Sequence, residues 1–265
     1  MDRLMIKNLL TLILVLSATG TTFGSFVLYA DDFDNDGLTT NAGVGGGLTQ
    51  RSLRGGHHFF QDNGNLQFTT TGNTNFQNRV IAFSDNTFQS TLGFEVTVDS
   101  FQTNFGGASS LAFGLISDDT DFTTYTNASP SFNPFEDPSV EGFGVRNDTS
   151  NLNVSDGSST TILDSGAPFT LGQVITTVIR FANNGSGGAS WSWSVDGVSR
   201  GSGTIATFDF TENFHFVAFG QDDQGNKRIE SVTVEGLMSV PEPSSLILFA
   251  SLLPFAVLKR KKLPV

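Results

Sequence analysis

The chain has 265 residues, with 14 Lys and Arg against 26 Asp and Glu, and no cysteine. Setting aside the charges near the two ends (Arg3, Lys7, Lys259, Arg260, Lys261 and Lys262, with Asp2 and Glu242) leaves 8 basic and 24 acidic residues, a net charge near −16. A body of that charge repels nucleic acid and anionic lipid head groups and favours divalent cations, and without cysteine its core must hold the fold without disulfides. The 26 Phe against two Tyr and two Trp, together with 29 Gly, predict a Phe-cored, turn-rich β protein, because Phe buries a large area with no hydroxyl to satisfy.

Residues 1–24 read as a secretory signal helix. Arg3 and Lys7 form a basic start, Leu9–Ala18 an apolar run of about ten residues, too short for a stable span, and Thr22-Phe23-Gly24 places small residues where cleavage needs them. Gly24 is preferred over Ala30 as the cleavage point because Leu28 is bulky. A short apolar strand, Phe26–Ala30, follows. Asp32, Asp34 and Asp36 then precede Gly37 in the spacing D-x-D-x-D-G, the first half of a calcium loop, in which alternate carboxylates converge on one hard cation. The twelfth position of such a loop is Gly43 here, where a bidentate Glu is needed. Calcium is therefore one reading and a solvated acidic turn the other. The glycine-rich stretch Asn41–Gly47 lacks the Lys and the helix of a phosphate loop, and the pair His57–His58 has no further ligand nearby in sequence.

From Leu66 onward the chain falls into short segments of period 2: Leu66, Phe68 and Thr70; Arg79–Phe83; Leu92, Phe94, Val96 and Val98; Leu111, Phe113 and Leu115. Gly, Asn and Asp punctuate them, which is the pattern of an antiparallel sandwich. Residues 118–142 break the rhythm with Pro130, Pro134 and Pro138 and the aromatics Phe122, Tyr125, Phe132 and Phe135. That stretch is either a binding loop or a connection whose rings cap the core. Strands are expected again at Phe143–Arg146, Leu152–Val154, Thr161–Leu163 and Val174–Ala182. Trp191, Trp193 and Val195 should face the core, with Ser190, Ser192 and Ser194 outside, and Asp196-Gly197 should close a two-residue hairpin. Phe208 and Phe210, Phe214–Phe219 and Ile229–Val234 complete the expected strands, with an acidic turn at 221–226.

The rhythm of these strands, the opening YADDFD and the closing RIESVTVEG resemble the concanavalin A-like jelly roll of laminin-G and lectin-type domains. That resemblance implies an all-β antiparallel jelly-roll sandwich over 25–238, with the first and last strands side by side. Asp222 and Asp223 would then approach Asp32, Asp34 and Asp36 as further calcium ligands. The fold also hosts laminarinase-type endoglucanases, which carry E-x-D-x-x-E on one strand. Glu95-Val96-Thr97-Val98-Asp99 departs from that pattern, with Thr97 at its middle position and no third acid, and there is no G-x-S-x-G or H-E-x-x-H. The expectation is a non-catalytic protein. The alternatives are a purely structural domain and, behind it, a glycan-active hydrolase.

The last 27 residues have three parts. Val240-Pro241-Glu242-Pro243 stays extended because two prolines fix φ and remove two N–H donors. Ser244–Leu258 carries no charge and, as a helix, would be roughly 22 Å long, short of the ~30 Å hydrocarbon core. Lys259, Arg260, Lys261 and Lys262 then stop translocation. This order resembles the PEP-CTERM sorting signal of Gram-negative bacteria, a tail also known as an ice-binding-protein C-terminal segment. The resemblance covers residues 239–265 and implies a short transmembrane helix, an exosortase as processing partner and a transient stay in the inner membrane. It further implies a mature form at the cell surface or outside the cell, where extracellular polysaccharide is the candidate partner.

Overall fold

The computed structural model describes residues 23–33, 47–54, 59–61, 64–68, 78–103, 110–122, 125, 134–147, 151–165, 169–222 and 226–239. The chain divides into two units, Phe26–Leu237 on one side and Met1–Ser25 with Met238–Val265 on the other. Of the second unit the described residues are 23–25 and 238–239, the outer ends of two strands. The expected signal helix, apart from Phe23 and Gly24, and the membrane helix and basic tail lie outside the described residues; Phe23 and Gly24 belong to a strand. Among the described residues no helix is long and apolar enough to cross a membrane.

The first unit is built from strands β1 (Phe23–Asp31), β2 (Leu48–Arg54), β3 (Phe59–Gln61), β4 (Leu66–Phe68), β5 (Asn78–Ser84), β6 (Gly93–Gln102), β7 (Ser110–Ser117), β8 (Glu141–Arg146), β9 (Asn151–Asp156), β10 (Thr160–Ser165), β11 (Val174–Asn183), β12 (Ala189–Val195), β13 (Val198–Ile205), β14 (Phe214–Asp222) and β15 (Lys227–Ser239). They form two sheets. The first runs β13-β12-β11-β6-β15-β4-β3, with β1 also paired to β15; the second runs β10-β9-β8-β7-β14-β5-β2. The first and last strands thus lie side by side, as the resemblance implied.

Alternation places the core. On β6, Phe94, Val96 and Val98 are buried while Glu95, Thr97 and Asp99 between them are partly exposed. Trp191, Trp193 and Val195 face inward from β12. Rings from both sheets meet between them: Phe143 of β8 stacks on Phe181 of β11 at 4.1 Å and 7°, and Phe94 of β6 meets Phe214 of β14 edge-on at 5.2 Å. Each such ring contributes about 1.5–3 kcal/mol by leaving water. Asp196 and Gly197, at φ 50° and 73°, form the left-handed two-residue turn that joins β12 to β13 with the native twist.

Three features go beyond the sequence reading or differ from it. Phe208 and Phe210 are buried but sit in the connection between β13 and β14 rather than in a strand. The intervening Asp209 accepts the Thr211 N–H and hydroxyl at 2.7 Å each, and that local bond bends the backbone out of extended form. Strand β13, the partner that the Asp196-Gly197 hairpin requires, is polar and glycine-bearing. Its Gly201 and Gly203 lie opposite Trp193 and Trp191 in register, and a Cβ on Gly203 would come within 3.0 Å of the Trp191 ring. On the other sheet edge, Trp193 Nε1 donates to Asp164 of β10 at 2.7 Å, tying the two sheets together.

The third is the stretch 118–142, for which two readings were open. Its Phe122, Phe135 and Val140 are buried against Ile81, Ala112, Ile116, Val217 and Phe219 on the outer face of the second sheet. Of the two readings held open, capping is what the rings of Phe122 and Phe135 do; Phe132 lies outside the described residues. Every residue of β7 is consequently buried, on both faces. Gly114 and Gly144 are cross-strand partners, and the Phe135 ring lies over them: a Cβ on Gly144 would stand 2.6 Å from it.

Candidate functional site

Glu141 opens β8. Phe143 and Val145 point from β8 into the core, so Glu141, in phase with them, faces the space between the sheets at its rim. Asp156, the last residue of β9, is its register partner. Asp156 begins an Asp-Gly-Ser-Ser turn with Gly157 at φ 78°. Its Oδ1 accepts the N–H of Ser158 at 3.0 Å, the Ser158 hydroxyl at 2.8 Å and the N–H of Ser159 at 2.7 Å. These bonds hold its carboxyl down at about 2. Asp209 plays the same part for Thr211, and those bonds keep its carboxyl below the usual carboxylate range.

These residues, with Thr207, Phe208 and Gly187 of the β11–β12 turn, line a groove of about 480 Å³. Phe208 is fixed there by its N–H donating to Gly187 O at 3.1 Å. A smaller cavity of about 240 Å³, lined by Val154, Ser159, Thr161 and Ile205 among others, shares Asp156 and Thr207 with it. Burial, followed by the charges of Glu212, Asp209, Asp119 and Asp156, pushes the Glu141 carboxyl up to about 7. The nearby Glu212 carries an Oε2 that is buried with no hydrogen-bond partner among the described residues.

A groove of this kind has hydroxyl and carboxyl groups along its sides, the core ring of Phe208 at its back, and a carboxyl raised to about 7. Its polar sides could meet a polyhydroxylated ligand, which needs donors and acceptors.

Of the residues singled out in the sequence as metal ligands, two are described. Asp32 is exposed just beyond β1, and Asp222 ends β14 in the second sheet, opposite Asn78. Asp34, Asp36 and Asp223 lie outside the described residues, as do His57, His58, Val240–Pro243 and Lys259–Lys262. Among the described residues no group of three or more His, Cys, Asp or Glu could hold a metal ion. Asp31, next to the acidic motif, is buried; it accepts the Phe33 N–H at 2.8 Å and the Tyr29 hydroxyl at 3.3 Å, and burial raises its carboxyl above the ordinary range. Glu95 pairs with Arg180 at 3.3 Å, and Asp99 accepts from Thr176 at 2.5 Å and Ser231 at 2.9 Å; both acids serve the sheet surface. The sequence reading missed the groove itself. The one signal it carried was the turn chemistry of Asp156-Gly157-Ser158-Ser159 and Asp209-Phe210-Thr211, which marks turns and not their convergence.

Several solved structures share this architecture. The chain is similar to the Emp47p carbohydrate recognition domain (11% identity, TM-score 0.56, covering 79% of this chain and 96% of that one) and to the VIP36 exoplasmic/lumenal domain in its Ca2+/Man-bound form (11%, 0.56, 83% and 94%). It is equally similar to a protein of unknown function with a galectin-like fold from Bacillus subtilis (11%, 0.56, 83% and 100%). No family model matches the sequence, and no curated protein does. At this identity the likeness defines the fold class: an all-β sandwich of two antiparallel sheets of the kind seen in carbohydrate-recognition and galectin-like domains.

Proposed function

We propose that this is an exported, non-catalytic surface or matrix protein whose sandwich binds glycan, with extracellular polysaccharide as the partner. The observation that carries the reading is the groove of about 480 Å³ at the rim of the sandwich, where Glu141, Asp156, Thr207 and Asp209 flank Phe208. The carbohydrate recognition domains that share the fold support it. The jelly-roll connectivity implied by the resemblance belongs to the same proposal. A glycan array probed with the purified protein tests it. Binding to a defined glycan class that is lost in Thr207→Trp, which fills the groove from an exposed position on its wall, is the expected result, and an array without signal favours a purely structural domain. That second reading has its own observation, the use of Asp156 and Asp209 as turn caps.

The tail belongs to the same proposal: Val240-Pro241-Glu242-Pro243 marks the exported protein for sorting and processing by an exosortase, which removes the apolar run and Lys259–Lys262. The intact mass of the surface form from the native host should then lack the basic tail. A mature protein that keeps Lys259–Lys262 overturns this part and leaves the glycan reading standing.

A further inference from the structure

The smaller cavity beside the groove differs from it in kind. It lies at the edge where β10 ends one sheet and β13 the other. Val154 of β9 belongs to the core, and Ile205, the last residue of β13, packs against that core; together they give the cavity an apolar floor. Thr161 is the register partner of Val154 and stands on the same side of its sheet. Ala206, exposed like Thr161, continues the wall beyond Ile205. That wall is set by backbone against backbone. A Cβ on Gly188 would stand 2.2 Å from Ile205 O and 2.6 Å from Ala206 O, and the Phe208 N–H holds the next turn of chain to Gly187 O. The cavity is thus formed before any ligand arrives. Hydroxyls surround its apolar floor: those of Thr161 and Thr207, and that of Ser159, which donates to Asp156 Oδ1 at 3.1 Å and keeps its lone pairs to accept.

We propose that this cavity is a subsite for an acetyl group, N-linked or O-linked, on the glycan that the groove binds; the inference rests on the glycan reading. Groove and cavity share Asp156 and Thr207, so one ligand can enter both. The volume of about 240 Å³ is about eight times the share of one water in the liquid, enough for the acetyl group and part of the ring that carries it. The methyl needs contact free of water, which Val154, Ile205 and Ala206 supply. The carbonyl oxygen needs a donor, which a threonine hydroxyl supplies. A bare sugar hydroxyl in the same place would leave the apolar floor wet, and a carboxylate there would face Asp156. The cavity therefore selects acetylated sugars over unsubstituted and over acidic ones.

An array of acetylated polysaccharides, each beside its deacetylated form, tests this with the full chain. Mild alkali strips O-acetyl groups and strong alkali N-acetyl groups, so the arms tell the two linkages apart. The wild type should bind the acetylated form roughly tenfold more tightly, from one buried methyl and one hydrogen bond. Thr161→Trp, which fills the cavity from an exposed position on β10, should bind both forms alike, at the affinity of the wild type for the deacetylated one. Equal binding of the two forms by the wild type, a preference for the deacetylated form, or a preference that survives in Thr161→Trp overturns the proposal and leaves the glycan reading standing. An array without signal for either form overturns both.

Discussion

The outer faces of the two sheets solve the same problem in opposite ways. The second sheet lies under the β7–β8 connection, whose Phe122, Phe135 and Val140 form a second apolar cluster on Ile81, Ala112, Ile116, Val217 and Phe219. Polar contacts pin that cover: Arg146 pairs with Glu136 at 3.1 Å, the Ser155 hydroxyl donates to Asp137 O at 2.9 Å and Arg51 donates to Phe122 O at 2.9 Å. The outer face of the first sheet has no such apolar layer among the described residues. It carries the Glu95–Arg180 pair, the Thr176–Asp99–Ser231 bridge, the Ser190, Ser192 and Ser194 row, and Arg228 stacked 4.0 Å over Phe101. A strand under cover must be apolar or small on both faces, as β7 is, whereas a strand with one wet face can alternate, as β6 does. The difference teaches that, beyond the core shared between the sheets, only the covered outer face adds buried apolar packing, and that surface charge on the open face is nearly neutral to stability.

Removing the cover's anchor breaks this contrast most severely. Phe135→Ala should cost about 3–5 kcal/mol, since the ring is lost over Gly114 and Gly144, two positions with no side chain to collapse into the space. Urea denaturation of wild type and variant measures it; a cost near that of a surface substitution would mean that the connection merely rests on the sheet.

A smaller effect, and one that depends on pH, comes from the rim. The folded Glu141 carboxyl, near 7 against an ordinary 4.5, binds a proton that the unfolded chain releases earlier. Its contribution to stability is therefore complete below about 4.5 and is lost as pH rises through 7. Asp156, lowered to about 2, acts the other way, and its contribution is lost as pH falls from the ordinary 3.8 toward 2. Melting temperature followed from pH 5 to pH 8 should fall in the wild type beyond any general trend, and Glu141→Gln should remove that fall and melt higher at pH 8. Parallel profiles for the two proteins would count against the assignment.

The smallest effect sharpens the contrast from the open side. Glu95 and Arg180 are both partly exposed, with Glu235 opposite Glu95 in register on the other flank. A double-mutant cycle of Glu95→Ala and Arg180→Ala should give a coupling of about 0.2–1 kcal/mol, reduced by added salt. A coupling several times larger would show that the open face also carries the fold.

The β class, the alternation of β6 and β12 and the Asp196-Gly197 hairpin were legible in the sequence, because each is set by residues adjacent along the chain: period 2 decides which side chains share a face, and a left-handed turn decides which residues it tolerates. Phe208 and Phe210 misled for the same reason, since their spacing is that of a strand while Asp209 bonds its own backbone. Only the tertiary structure decided what covers the second sheet, why β13 needs glycines under Trp191, and where Glu141 finds its neighbours. Asp119, Glu141, Asp156, Asp209 and Glu212 belong to separate segments with no shared motif. A carboxyl's proton depends on the charges and the burial around it in space, and nothing in the order of the residues states which connections will meet.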